Sequence, residues 1–231
     1  MALIFSANLD GQGGAVRHEP VTLVHFYLES ARDFALESIS SEDEFQPLRE
    51  VISAITFSAM CIEALICELA EEQVPTNKAR AFDRCQKPYL RPKGQAAAAF
   101  KYAWLVRDKF SKEVPEEILA EIGKVFEYRN RLVHYKVSEN QGAHHMEPPT
   151  RRFNPDGSVT VSFVLSGTPI KSEPPFVHQL TEDSAASCYN AARNAIRFWV
   201  TCGGFEWDEG EFGVLAANNS LKADGTDVPP P

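Results

Sequence analysis

Arg129, Asn130 and His134 fall within six positions of one another, and they are residue types that phosphate chemistry uses. An arginine keeps its charge and can donate to two phosphate oxygens at once. A histidine exchanges a proton near neutrality and serves as general base or general acid. Together they suit RNA cleavage without a metal. That reaction removes a proton from a 2′-hydroxyl, delivers one to the leaving 5′-oxygen and balances charge on the phosphorus oxygens. One histidine is half of the acid–base pair. Two copies of the chain around a two-fold axis would supply both halves.

A helix must hold these groups. Residues 115–136 read as one, with Pro115 in its first turn and Glu116 and Glu117 placed for the helix dipole. At 100° per residue, Ile118, Ile122, Val125, Phe126, Leu132 and Val133 form an apolar stripe. Arg129 falls in the middle of that stripe. A guanidinium there needs a carboxylate partner, or a cleft or second chain to face. Glu63, on the preceding long helix, is the candidate partner, and that pairing is also a purely structural reading of Arg129. Asn130 and His134, four apart, share the neighbouring flank. His134 sits near the helix end, where the dipole favours positive charge, and can equally be read as an ordinary helix-end histidine. Arg131 points away from the stripe and is expected to be solvated.

The remaining elements are read more coarsely. A helix is expected over 22–38 and a long one over 45–73. The latter repeats Val51, Ile55, Ile62, Leu65, Ile66 and Leu69 at a helical period and stops at Pro75. Residues 76–94 should give a short helix and a loop, and 95–110 a helix rich in strong helix formers. A strand is expected over 158–165, after the turn Asn154-Pro155-Asp156-Gly157, with 143–153 as hairpin partner. Residues 168–175 read as a Pro-rich loop. A last helix spans 181–202, with Thr181 and Ser184 in place of a full capping box. The first 20 residues look irregular and the tail from 218 disordered. The expected architecture is all-α, an up-and-down bundle over 21–217 with a small β-hairpin insertion at about 143–166.

Length and composition set the outer bounds. The 231 residues are 44% hydrophobic and 24% charged, as in an ordinary globular chain. Lys and Arg number 23 against 32 Asp and Glu, a net charge of −9. A broad basic face for nucleic acid is therefore not expected, whereas a narrow local one is compatible with this balance. The five cysteines form no Cys-x-x-Cys pair and are read as reduced. No uninterrupted apolar run reaches the ~18 residues of a membrane span, and no signal peptide opens the chain, so a cytoplasmic protein without membrane partners is expected. His144, His145 and Glu147 form a polar loop with no third ligand at metal spacing, so no metal and no cofactor are expected. Trp104, Trp199 and Trp207 read as packing residues. Glu206, Asp208, Glu209 and Glu211 read as a solvated cluster.

The string Arg129-Asn130-Arg131-Leu132-Val133-His134, late in a helix and followed by Tyr135, resembles the Arg-x4-6-His signature of the HEPN superfamily. The segment from Phe57 to Ile66, which carries Glu63, is similar to the long second helix of such domains. The resemblance covers roughly 22–136 and the final helix, but not the β insertion. It implies a helical, usually dimeric domain acting as a metal-independent endoribonuclease, often a toxin or antiphage effector and sometimes paired with an antitoxin protein. It places the catalytic roles on Arg129 and His134, the polar position on Asn130, and support on Glu63 and Tyr135. Some members act instead as non-catalytic nucleotide- or protein-binding modules.

Overall fold

The strongest apolar period in the sequence becomes the central helix of the computed structural model. The structure describes residues 7–9, 15–17, 23–40, 46–134, 144–146, 148–163, 165–169, 176–203, 220–222 and 226–228. Helix α2 (Gln46–Gln73) follows α1 (Val24–Ser40) and packs along it, and it also touches the three later long helices. Val51, Ile55, Ile62, Leu65, Ile66 and Leu69 are all buried, as their spacing predicts. The helix closes with the Val74 amide donating to Ala70 O at 2.8 Å, and Pro75 then starts a 3-10 turn over Thr76–Lys78. The segment Leu48–Gln73 is long and apolar enough to cross a bilayer, although it holds no strictly apolar run of that length; more than half of its most apolar stretch is buried inside the protein.

Three further helices build the side of the bundle. The short α3 (Ala79–Asp83) precedes α4 (Ala97–Phe110), which ends on Ser111 in the left-handed region at φ 55°. Helix α5 (Glu116–Val133) starts after Pro115, which stands at the N-cap and not inside the first turn. Its acidic Glu116 and Glu117 face the positive end of the helix dipole. Helix α6 (Glu182–Gly203) packs on α1, α2 and α5. The Thr181 amide donates to Ser184 Oγ at 3.4 Å, the reciprocal half of the capping pattern. Tyr102 from α4 donates to Ala195 O on α6 at 2.6 Å inside the core. Trp104 packs edge-on against Phe82 and Tyr89, and Trp199 against Phe110; Trp207 lies outside the described residues.

The β content differs from expectation. The N-terminal segment is not wholly irregular: β1 (Ala7–Leu9) pairs antiparallel with β2 (Ala15–Arg17), flanking the glycine-rich stretch. The insertion holds two ladders in place of one hairpin. Strand β3 (His144–Met146) pairs with β6 (Leu165–Pro169), and between them β4 (Thr150–Phe153) pairs with β5 (Val159–Ser162). The expected strand 158–165 is thus split, His144 and His145 are in a strand, and Thr168 and Pro169 are not loop. The turn between β4 and β5 is as the sequence reads: Gly157 has φ 83°, and Asp156 accepts from the Ser158 amide and hydroxyl. The Ser158 contacts lower the Asp156 carboxyl below its ordinary value. Phe153, Val159 and Val161 share one face of this ribbon and are exposed.

The described part of the tail, expected to be disordered, forms a ladder. Strand β7 (Ser220–Leu221) pairs with β8 (Asp227–Val228). Asn190 on α6 holds it by donating to Leu221 O at 2.7 Å and accepting from Leu221 N at 2.9 Å. Leu221 is buried. The described residues are thus mostly helical, with six α-helices and four two-stranded antiparallel ladders.

Candidate functional site

Helices α2 and α5 and the start of α4 line an open cleft of about 910 Å³. Glu63 and Cys67 come from α2, Arg91 and Gln95 from the chain before α4, and Lys101 from α4 itself. Gly123, Lys124, Glu127, Arg129 and Asn130 come from α5. Small residues face each other where α5 passes the start of α4: a Cβ on Gly123 would sit at ordinary contact distance, 3.8 Å, from Ala96 Cβ.

The structure brings Arg129, Asn130 and Glu63 together on this cleft. Arg129 Nη1 donates to Asn130 Oδ1 at 3.2 Å, and Arg129 Nη2 lies 3.7 Å from Glu63 Oε1. The arginine is not sunk in the apolar stripe: its side chain is 35% exposed. The stripe itself is shorter than expected. Ile122, Val125 and Phe126 are buried, Ile118 and Leu132 pack against the core at its edge, and Val133 is 62% exposed. The core contacts of α5 weaken toward its end, so the last turn of apolar spacing meets solvent.

His134 is outside the cleft lining. Gly123, Glu127 and Asn130 follow one another along a single row of α5, and His134 is the next step of that row, exposed. It caps the helix with its own amide, which donates to Asn130 O at 2.8 Å. Tyr135 lies outside the described residues, as do Lys136, at the expected end of this helix, and the acidic cluster at 206–211. Arg131 is not simply solvated: its guanidinium carbon lies 3.8 Å from the centroid of the Phe176 ring, a cation–π contact.

Sequence reasoning missed three cations. Lys101 is mostly buried, with Nζ 3.4 Å from the exposed Asp83 carboxylate and 5.6 Å from the Phe82 ring centroid. Lys124 Nζ lies 5.6 Å from the Tyr128 ring centroid. Arg91 donates to the Gln95 carbonyl. No local pattern marks them, because they come to line one cleft only when α4 is laid against α5. Burial raises the nearby Cys67 thiol above its ordinary value, and the Lys101 ammonium opposes that shift. Four lining residues are cationic and two are carboxylates, in a chain whose overall balance is acidic. Two other buried charged residues, Glu50 and Arg193, do not line the cleft. Among the described residues no cluster of three or more His, Cys, Asp or Glu could hold a metal ion.

No family model, no curated protein and no solved structure matches this chain.

Proposed function

We propose that the protein is a metal-independent endoribonuclease of HEPN type, with Arg129 and His134 as its catalytic residues. The observation that carries this reading is the row along α5. Asn130 on that row and Arg129 beside it open onto a net-cationic cleft near Glu63, and the exposed His134 imidazole stands one helical turn beyond Asn130. Arginine donors near an RNA phosphate stabilise charge that develops on its non-bridging oxygens. Asn130 and Glu63 hold the guanidinium from two sides.

In the reaction one imidazole takes the proton of a 2′-hydroxyl, whose oxygen attacks the adjacent phosphorus. The bond from phosphorus to the 5′-oxygen breaks, and a second imidazole protonates that oxygen. The products are a 2′,3′-cyclic phosphate and a 5′-hydroxyl end. The second imidazole is the His134 of a second chain, so the proposed working form is a homodimer with a composite site. A cytoplasmic toxin or antiphage effector, restrained by an antitoxin protein, is the corresponding biological role.

The test is incubation of the purified protein with RNA in EDTA, followed by analysis of the new ends. Cyclic-phosphate and 5′-hydroxyl ends, lost in His134→Ala, support the reading. RNA that stays intact with and without EDTA overturns it. The 3.7 Å contact between Arg129 and Glu63 favours a second reading, a non-catalytic helical module in which that pair is only structural.

A further inference from the structure

We propose that the α4 end of the cleft is a phosphate seat, in which Arg91, Lys101 and Lys124 hold a phosphate group of the RNA strand beside the one at Arg129. The identity of the strand rests on the ribonuclease reading; the phosphate chemistry rests on the cleft itself.

Folding has gathered positive charge here against the composition of the chain. Of the charged cleft-lining residues, only Glu63 and Glu127 are acidic, and Glu63 is engaged by Arg129. Each of the three cations is tethered by a contact that leaves donors over. Arg91 spends one of its five N–H groups on the Gln95 carbonyl. Lys124 rests over a ring, and Lys101 shares its ammonium between a ring and the exposed Asp83. Among the described residues neither Arg91 nor Lys124 has a carboxylate within ion-pair distance. Positioned cations with unused donors are what a phosphate oxygen set requires.

The same lining holds a run of small residues. Gly94, Ala96, Ala97, Ala98, Ala120 and Gly123 carry no long side chain to fill the space. The first turn of α4 starts there, and its N-cap Ala96 supplies no side-chain acceptor to the free backbone N–H groups. Those amides add partial positive charge at the same end.

The experiment measures binding of a fluorescent 2′-O-methyl RNA oligonucleotide, which lacks the attacking hydroxyl, to the full-length protein. Alkylation of the exposed Cys67 by N-ethylmaleimide reports on the same cleft. The seat predicts that Lys101→Gln/Lys124→Gln binds about tenfold more weakly or worse. It also predicts a salt dependence shallower by about 0.7 for each RNA phosphate that the variant no longer neutralises. The oligonucleotide should slow Cys67 alkylation in the parent protein and not in the double variant, with circular dichroism showing both folded. Equal binding by both proteins, or no binding by either, overturns the seat. RNA cleavage that His134→Ala abolishes would still uphold the ribonuclease reading in that event. Protection of Cys67 by ATP but not by the oligonucleotide, lost in the double variant, supports a phosphate seat and overturns the RNA strand as its source.

Discussion

Arg129 Nη2 and Glu63 Oε1 stand 3.7 Å apart, joining α5 to α2 at the wall of the cleft. Both side chains are more than a third exposed, so water screens the pair and its worth is about 0–1 kcal/mol. Glu63→Gln and Arg129→Ala should each lower unfolding stability by less than about 1 kcal/mol in urea titrations. The RNA-cleavage rate should respond differently, falling about 100-fold or more in Arg129→Ala, the scale of losing a donor to developing charge. A large stability loss with unchanged cleavage would assign the arginine to structure alone.

His134 should separate function from fold still more cleanly. Its imidazole is exposed, and the contact that closes α5 is made by its backbone amide, which alanine retains. His134→Ala should therefore melt within about 1 °C of the parent, as surface substitutions away from special features do. Its cleavage rate should drop by about 10² to 10⁴, the usual contribution of a general acid or base. Cleavage at the parental rate would remove the histidine from the mechanism.

The cysteines should divide by burial. Cys67 is exposed and Cys85 half-buried, whereas Cys61, Cys188 and Cys202 are buried. Burial pushes the Cys188 thiol up to about 12 from an ordinary value of 9.0, and raises Cys61 and Cys202 as well. A disulfide reagent at pH 8 should reach Cys67 and Cys85 in the folded protein, Cys67 more slowly than a free thiol because its value is raised, and the others only after denaturation. The same shifts set a pH dependence. The folded state favours the neutral thiol, so this stability is fully present well below pH 9.0, the value at which an unfolded thiol is half ionised. It is lost as the pH rises from there toward the raised folded value. Urea midpoints at pH 7.5, 9 and 10.5 should fall in that order.

Asn190→Ala should act on the tail. Two hydrogen bonds to Leu221 disappear together, at a cost of about 1–3 kcal/mol. The expected result is faster protease cleavage near 220–228, with the melting of the helical bundle little changed. Identical digestion of variant and parent would show that the side-chain clasp does not hold β7.

Legibility in the sequence followed the range of the interaction. The buried face of α2 repeats every turn from Val51 to Leu69, so its period alone reveals it. The contact between Glu63 and Arg129 was readable because each lies on a long helix with a clear face. Lys101, Lys124 and Arg91 were not, since three separate segments converge on them only in the fold. Val133 kept the apolar spacing of α5 but had nothing left to pack against, and a helical wheel carries no information about where a neighbour ends. The short ladders of β1 with β2 and β7 with β8 were missed because two or three residues cannot display an alternation.

The nested ladders of the insertion have a consequence for the architecture. His144 faces Pro169 across the outer ladder, so the chain departs and returns at points about 5 Å apart. Replacing the residues between those positions by a brief turn is therefore expected to leave the helical content unchanged, with far-UV circular dichroism as the check. The ribbon is in this sense a detachable arm, and a tag or reporter domain grafted at its tip near Asp156 should leave the helical part undisturbed.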